Sequence, residues 1–204
     1  MNEVKLKGRV LRVWERDRVT LVTLIIYDRT RRGEDGRRFA ANFPQVAFVG
    51  SDRAQLKDIK AGDHVDIEGY VNVYAHRPNN GAIVYEQSIR GKKIEPSKTT
   101  LEEDFGASGL GSSYGECNQV LIEGEVFAAR QYGRVVRLMV IPSHENQTVS
   151  ISCFVRDPEA FMKEYRRGTI VCAKCDIRTN RREKEDGTVR FYENIVMQSL
   201  DKKA

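Results

Sequence analysis

The stretch that decides the fold occurs twice in the chain. Residues 48–71 read FVGSDRAQLKDIKAGDHVDIEGYV, and residues 154–177 read FVRDPEAFMKEYRRGTIVCAKCDI. The two segments align without a gap at a spacing of 106 residues, and the same register continues to Gly81, which meets Gly187. A self-match of this length indicates an internal duplication.

The duplication extends to the beginning of each copy. Residues 2–10, NEVKLKGRV, resemble residues 118–126, NQVLIEGEV, at a spacing of 116. The difference between the two spacings falls in one connection, which reads DRTRRGEDGRRFA over residues 28–40 and only PSHENQ over residues 142–147. A length change confined to one loop is typical of duplicated domains.

Each copy predicts three strands, one helix and two further strands. In the first copy, alternating residues over 4–10, a β-branched run over 20–27 and residues 43–49 indicate the three strands. The second copy's helix begins at Asp157-Pro158-Glu159, where Asp caps, Pro fits the first turn and Glu favours the helix dipole. Strand four, which carries Val65, Ile67, Val71 and Val73, leads into a long hairpin.

This order of elements is that of the OB-fold, a five-stranded barrel. We therefore expect an all-β protein with one short helix per domain, built as two tandem OB-fold barrels over residues 1–96 and 118–204. Residues 97–117 are rich in glycine and serine, and residues 99–117 carry four acidic and no basic side chains, which predicts a flexible acidic linker. Alternatively, Glu102-Glu103-Asp104-Phe105 binds a partner or competes for a basic groove.

Composition excludes several classes of protein. Of the 204 residues, 40% are hydrophobic and 31% are charged, as in folded soluble domains. No apolar run approaches the roughly 20 residues that span a bilayer. The start, MNEVKLKGRV, has no signal-peptide pattern, and four cysteines are too few for a disulfide scaffold. We expect a cytoplasmic protein that does not bind a membrane.

Charge is distributed in blocks. The formal net charge is +5, made of +6 over residues 1–98, −4 over residues 99–117 and +3 over residues 118–204. Two basic copies therefore flank an acidic spacer. A phosphate backbone is the partner that such basic blocks favour.

The second copy, GTIVCAKCDIRTNRREKEDGTVRFYENIVMQSL over residues 168–200, resembles the bacterial single-stranded DNA-binding proteins. The matching positions are Gly168, Val171, Ile177, Arg178, Thr179, Arg181, Gly187, Tyr192 and Ile195. The opening MNEVKLKGRV is similar to the family's start, and the first copy keeps Gly62, Val65, Glu68, Gly69 and Gly81. The resemblance covers both copies but not the linker.

The resemblance implies a protein that coats single-stranded DNA in a bacterial cell, encoded by a chromosome, a phage or a mobile element. Most members carry one barrel and act as tetramers, so two barrels per chain imply a homodimer with four barrels. Replication or recombination proteins are implied as further partners. The family's acidic tail, which recruits such proteins, is not expected here, since the sequence ends in Asp201-Lys202-Lys203-Ala204.

Aromatic side chains are the candidate base-stacking residues. In strand four, parity with the core valines predicts that Tyr70, Tyr74 and His76 point outward. The resemblance implies stacking residues at His76 and Phe43, whose aligned residues in the second copy are Arg182 and Val149. We therefore expect the first barrel to bind more strongly than the second. Phe48, Phe154 and Phe161 are assigned to the core, whereas Trp14 is assigned to the ligand face.

Basic residues in loops are the candidate phosphate contacts. One set lies between strands two and three, a second set between strands one and two, and a third set in the strand-four hairpin. A solvated hairpin is the alternative for the first set. The complete predicted interface is Trp14, Arg16, Arg18, Arg31, Arg32, Arg37, Arg38, Phe43, Tyr70, Tyr74, His76, Arg77, Tyr132, Arg134, Arg178, Arg181, Arg182 and Lys184.

No cofactor, metal or catalytic centre is expected. Cys172 and Cys175 have the spacing of a zinc knuckle, and Cys117 and Cys153 could complete a site. An extended strand, however, points residues three apart to opposite faces, and the first copy builds the same pattern without cysteine. The three histidines are scattered, and there is no nucleotide-binding glycine motif after a strand, so an enzyme is not expected.

The sequence therefore predicts a protein that coats and protects single-stranded DNA with little sequence specificity, during replication, recombination or DNA transfer. Two alternatives remain open. One is an OB-fold adaptor that binds proteins in a primosome or a mobile-element complex. The other is an RNA-binding protein, because OB surfaces rarely reveal sugar preference.

Overall fold

A computed structural model describes residues 1–28, 40–77, 81–97, 103–105, 111–113, 116–183 and 189–203. The first copy contains β1 (Asn2–Glu15), β2 (Val19–Asp28), β3 (Ala40–Asn42), β4 (Gln45–Val49), a 3₁₀ helix (Gly50–Leu56), β5 (His64–His76) and β6 (Val84–Pro96). The five long strands close in the order β1-β5-β6-β4-β2, and β2 pairs back with β1. The short β3 extends the free end of β2.

The second copy repeats this closure. It contains β9 (Cys117–Tyr132), β10 (Val135–Pro142), β11 (Val149–Phe154), α1 (Pro158–Glu164), β12 (Ile170–Glu183) and β13 (Val189–Lys202). β9 pairs with β10, β10 with β11, β11 with β13, β13 with β12, and β12 returns to β9. The β11–β13 pair is parallel and the others are antiparallel. The prediction of an all-β OB-fold architecture is confirmed.

Between the copies, two short strands pair with each other, β7 (Glu103–Phe105) with β8 (Gly111–Ser113). The proposed boundaries at 96 and 117 stay a prediction about domains. Both helices have seven residues, and no helix in the described part of the chain could cross a bilayer.

The core of each copy is formed by one alternating set of residues. Val65, Ile67, Val71 and Val73 of β5 are buried, as their spacing predicts. In the second copy, every second residue of β11 from Val149 to Cys153 is fully buried.

The predicted helices differ between the copies. In α1, Asp157 accepts a hydrogen bond from the Ala160 backbone N–H at 3.0 Å, and Pro158 occupies the first turn. In the first copy, Val49 precedes the helix and has no side-chain acceptor, and the segment forms a 3₁₀ helix. The missing cap leaves more helix donors without a partner, and the segment forms the tighter 3₁₀ helix instead.

A β-bulge interrupts the first strand of both barrels at the same place. In β1, Val10 pairs with Leu24 and Arg12 with Thr23, so Leu11 is an extra residue. In β9, Phe127 is the extra residue at the matching position, 116 residues later. Because a bulge adds one residue to a two-residue alternation, positions that point inward before it point outward after it.

The close approach of a neighbouring strand requires a glycine in the first strand of each barrel. Gly124 pairs with Pro142 of β10 and also with Val171 of β12, because β9 closes the barrel on both sides. A Cβ atom at Gly124 would lie 2.0 Å from the Ile141 carbonyl oxygen, and one at Gly8 would lie 2.7 Å from the Ile25 carbonyl oxygen. Neither distance is sterically possible for a side chain.

Two predictions of core aromatics are wrong. Phe154 is 62% exposed, because β11 turns Cys153 inward and pairs Cys153 with the buried Val136. Phe161 lies half-buried on α1 and packs on Tyr165 with ring centres 4.7 Å apart. Phe48 is fully buried, as predicted.

The chain divides into two compact units, one of Lys5–Gly69 and Arg90–Asn118, the other of Met1–Val4, Tyr70–Ile89 and Gln119–Ala204. Within the second unit, the Gln87 side-chain amide accepts a hydrogen bond from the Ser150 backbone N–H and donates to the Ser150 carbonyl oxygen at 3.1 Å. The hairpin segment Tyr70–Ile89 is thereby attached to β11 through both backbone groups of one residue.

Candidate nucleic-acid interface

An aromatic ring held between two arginines marks the end of β1. Trp14 is 41% exposed, and the guanidinium carbons of Arg16 and Arg12 lie 3.9 Å and 5.2 Å from its ring centre. By alternation from Val10, Trp14 would point into the barrel. The bulge at Leu11 reverses this alternation and places the ring outside.

The second barrel carries a patch at the same place. Tyr132 ends β9, and the Arg137 guanidinium carbon lies 5.6 Å from its ring centre. Val135 pairs with Tyr132 on one side and with Phe154 on the other, so the two exposed aromatic residues flank one residue of β10. Arg130 and Arg137 form the neighbouring row.

The two patches are related by the repeat. At a spacing of 116 residues, Trp14 corresponds to Arg130 and Arg16 to Tyr132, so the aromatic residue and the arginine have exchanged positions. Each barrel nevertheless presents a ring with a guanidinium group against it. Guanidinium groups attract the ring face and phosphate alike, and aromatic rings stack on bases.

The turns after the first strands carry further basic residues. Arg18 and Arg134 are exposed at matching positions. The first turn is fixed by Arg53 of the 3₁₀ helix, which donates to the Asp17 carbonyl oxygen at 2.8 Å and to the Thr20 hydroxyl at 3.1 Å. The second turn is fixed from within, by Gln131 donating to the Gly133 carbonyl oxygen at 2.9 Å.

Strand four of the first barrel carries the predicted outward residues. Tyr74 is exposed and His76 half-buried, with ring centres 6.0 Å apart. Glu86 of β6 joins them, since it accepts a hydrogen bond from the Tyr74 hydroxyl at 2.8 Å and lies 3.0 Å from His76 Nε2. Tyr70 is half-buried. The Glu86 carboxylate makes the surface of strand four less favourable to phosphate than the surface around Trp14.

Strand four of the second barrel places its residues differently. Arg178 is half-buried and its Nε lies 3.2 Å from Asp176 Oδ2, so its charge is compensated. Asn180 pairs with the exposed Tyr192 of β13. Arg181 and Arg182 lie in β12, but their side chains are outside the described part of the structure.

Several predicted residues lie elsewhere. Arg77 is exposed at the end of β5, and Phe43 is half-buried between β3 and β4. Arg31, Arg32, Arg37, Arg38 and Lys184 lie outside the described residues. Near the end of β2, the Glu116 carboxylate accepts a hydrogen bond from the Tyr27 backbone N–H at 2.7 Å.

Four residues of the candidate interface were not predicted from the sequence: Arg12, Arg137, Phe154 and Tyr192. One signal could have found Phe154. The segment VSISCF over residues 149–154 alternates, and Phe154 shares its parity with Ser150 and Ser152 rather than with the core residues.

Two of the four cysteines, Cys153 and Cys175, are buried. Burial raises the pKa of Cys153 to about 12 and raises that of Cys175 as well, so both stay neutral thiols. Across the described residues, no three His, Cys, Asp or Glu side chains meet in a way that could hold a metal ion.

The fold and its surface therefore define a class: a chain of two OB-fold barrels, each with an exposed aromatic–arginine patch. The chain is similar in structure to the wild-type single-stranded DNA binding protein from Thermus aquaticus, with a TM-score of 0.69 and 16% identity over 100% of this chain and 93% of that chain. A deletion mutant of that Thermus aquaticus protein matches with a TM-score of 0.70 and 16% identity, over 100% and 95% of the two chains. No protein-family model and no curated protein sequence matches the chain. At this identity the likeness establishes the fold.

Proposed function

We propose that this protein binds single-stranded DNA with little sequence preference. The observation that carries the proposal is the recurrence, at the end of the first strand of both barrels, of an exposed ring with a guanidinium group 3.9 Å to 5.6 Å from its centre. A fold needs no exposed tryptophan or tyrosine there. Stacking platforms beside cations are what proteins use to hold unpaired bases and their phosphates.

The likeness to the Thermus aquaticus protein supports the proposal, because that protein is named as a single-stranded DNA binding protein and the match includes the whole of this chain. The location supports it too. OB-folds bind oligonucleotides on the face of strands two and three and through the loop between strands one and two. Arg134, Arg137 and Phe154 belong to these elements, and Tyr132 is the last residue of the strand before that loop.

The proposed mechanism combines two contacts. Bases stack on Trp14 in the first barrel and on Tyr132 and Phe154 in the second, while neighbouring arginines neutralise phosphates. Every base has a stacking face and every nucleotide a phosphate, so neither contact reads sequence. Affinity should fall as salt rises, because bound arginines release counterions from the strand. The protein acts by binding, and catalysis has no part in this mechanism.

The biological role that follows is protection of unpaired DNA during replication, recombination or DNA transfer in the bacterial cytoplasm. We propose further that two chains associate and present four barrels, and that replication or recombination proteins are partners. Light scattering tests the association: a mass of about twice 23.3 kDa is expected. A single-chain mass at working concentration would contradict it.

The decisive experiment uses the only tryptophan in the chain, Trp14. Oligo-dT is titrated into the protein while tryptophan fluorescence is recorded, and labelled oligo-dT, duplex DNA and oligo-rU are compared by anisotropy at two salt concentrations. Quenching together with tight, salt-sensitive binding of oligo-dT is expected. Equal weak binding to all three, without quenching, would contradict the proposal, and preference for oligo-rU would indicate an RNA-binding protein.

A protein adaptor is the second candidate function. It is favoured by three exposed apolar residues at the beginning of β6, namely Ile83, Val84 and Tyr85. Large apolar side chains exposed together are typical of protein-binding surfaces. If oligo-dT does not bind, a variant with Ile83→Ser, Val84→Ser and Tyr85→Ser should lose partners that the wild-type chain retains.

A further inference from the structure

A second aromatic–arginine pair lies on the second barrel, away from the patch at Tyr132. Phe127, the extra residue of the β9 bulge, is 41% exposed, and the Arg167 guanidinium carbon lies 5.2 Å from its ring centre. Arg167 belongs to the turn between α1 and β12. The exposed Ile170 begins the next strand.

The backbone holds these two residues side by side. Val126, next to Phe127, donates its N–H to the Thr169 carbonyl oxygen and accepts from the Gly168 N–H through its own carbonyl oxygen, both at 2.9 Å. Both backbone groups of Val126 therefore hold the turn that carries Arg167 against the bulge. The pair depends on main-chain geometry and does not need a ligand to form.

The fold does not require the pair. In the first barrel the same frame is present, since the Gly62 N–H donates to the Val10 carbonyl oxygen at 2.8 Å and the Val10 N–H donates to the Asp63 carbonyl oxygen at 2.7 Å. There the bulge residue is Leu11 and the residue matching Arg167 is Ala61. The same hydrogen bonds form in the first barrel with Leu11 and Ala61. They therefore do not account for Phe127 and Arg167 in the second barrel.

The charge along the outer side of β9 changes sign at Phe127. On the outer side of β9, Glu123 and Glu125 precede Phe127 and Arg130 follows it, and Arg134 lies in the turn after the strand. Glu123 is paired with Lys203, whose Nζ lies 2.7 Å away. A phosphate chain is attracted to the Arg130 side of Phe127 and repelled on the Glu125 side. Phe127 thus stands where the basic surface ends.

We propose that Phe127 and Arg167 form an additional stacking subsite for single-stranded nucleic acid, at the end of the path that begins at Tyr132. The inference rests on the proposed function and deepens it. Phe127 and Tyr132 are five residues apart along β9, or about 16 Å at about 3.3 Å per residue. The second barrel therefore binds a longer stretch of nucleic acid than the first, and Arg167 contacts the phosphate beside the stacked base.

The test converts the subsite to the residues of the first barrel. The variants Phe127→Leu and Arg167→Ala are compared with the wild-type chain for binding of a long oligo-dT, and Leu11→Ala in the first barrel is the matched control. Removal of one stacked base predicts affinity lower on the order of tenfold for Phe127→Leu. The double variant Phe127→Leu/Arg167→Ala should lose less than the product of the single losses, because the two side chains act on one nucleotide. Leu11→Ala should leave affinity unchanged.

A direct contact is sought by cross-linking of oligonucleotides that carry 5-iododeoxyuridine, followed by mass spectrometry of the peptides. A cross-link at Phe127 supports the subsite even if a variant is unstable. If Tyr132→Ala weakens binding while Phe127→Leu does not, and no cross-link reaches Phe127, the subsite is refuted and the proposed function stands. If the wild-type chain fails to bind oligo-dT, the proposed function fails and the subsite fails with it.

Discussion

The guanidinium carbon of Arg16 lies 3.9 Å from the centre of the Trp14 ring, closer than Arg137 lies to the Tyr132 ring or Arg167 to the Phe127 ring. Arg16 is itself placed by the turn, since its backbone N–H donates to the Val19 carbonyl oxygen at 2.9 Å. The ring is thus held in an exposed position before any ligand arrives. A side chain that is already ordered loses less entropy on binding.

Trp14→Ala should weaken binding of single-stranded DNA on the order of tenfold, because one stacked base is lost. The melting temperature should change little, since the ring lies on the surface. Anisotropy titration and thermal unfolding are measured together. Trp14→Phe is the control and should retain most of the affinity. A large drop in melting temperature for Trp14→Ala would show that the ring supports the fold instead.

Phe48 and Phe154 are aligned in the repeat but should respond in opposite ways. Phe48→Ala should lower the free energy of unfolding by about 3–5 kcal/mol, because it empties a fully buried site. Phe154→Ala should leave stability nearly unchanged and weaken DNA binding. Urea unfolding and oligo-dT titration of both variants provide the comparison. Equal destabilisation by the two changes would contradict the outward position of Phe154.

Gly124→Ala should destabilise the protein by about 1–3 kcal/mol or more, since the added Cβ must displace the backbone of β10. Gly8→Ala provides a graded comparison. Its Cβ would meet the Ile25 carbonyl oxygen at a longer distance, so a smaller loss of stability is expected. Chemical unfolding of both variants measures the difference. Two unchanged midpoints would mean that the first strands approach their neighbours less closely.

Stability should decline in alkaline solution because of the buried thiol of Cys153. Burial raises the pKa of Cys153 in the folded chain to about 12, whereas an unfolded thiol titrates near about 8.5. Between these values the unfolded chain has lost a proton that the folded chain keeps, so the free energy of unfolding falls as pH rises, by at most about 1.4 kcal/mol per pH unit. Below pH 8 this thiol has no effect.

The comparison variant is Cys153→Val, which removes the titrating group and keeps an apolar side chain at the buried site. Urea unfolding between pH 7 and pH 11 should show a shallower decline for this variant than for the wild-type chain. Parallel curves would indicate that Cys153 ionises as easily in the folded protein as in the unfolded one.

Strand pattern predicted the barrel well where alternation is unbroken. Val65 to Val73 of β5 keep one parity through the strand, and all four predicted core residues there are buried. Alternation failed to predict faces in β1, because the bulge at Leu11 is defined by pairing with β2, and that partner is remote in sequence. Periodicity in one segment carries no information about an extra residue opposite another strand.

Other differences have local causes. The first copy forms a 3₁₀ helix, and the residue before that helix, Val49, has no side chain that could cap it. The spacing of apolar residues in the segment carries no information about this cap. Phe154 is exposed although the aligned Phe48 is buried, because the pairing of β11 with β10 differs by one residue from that of β4 with β2. The contact between the Arg137 guanidinium and the Tyr132 ring depends on the register between β9 and β10. The sequence of either strand alone does not determine that register.

The hydrogen bonds between Gln87 and Ser150 affect where the chain can be divided into fragments. A fragment that begins at residue 118 would contain all five strands of the second copy, yet it would leave the Ser150 backbone groups without the amide that satisfies them. The fragment would also lack Asn2, whose side-chain amide donates to both the Val71 carbonyl oxygen and the Glu145 carboxylate. The copy that recurs in the sequence is therefore smaller than the compact unit that contains it. Fragments of this protein should follow the compact unit, with Tyr70–Ile89 kept together with the second copy.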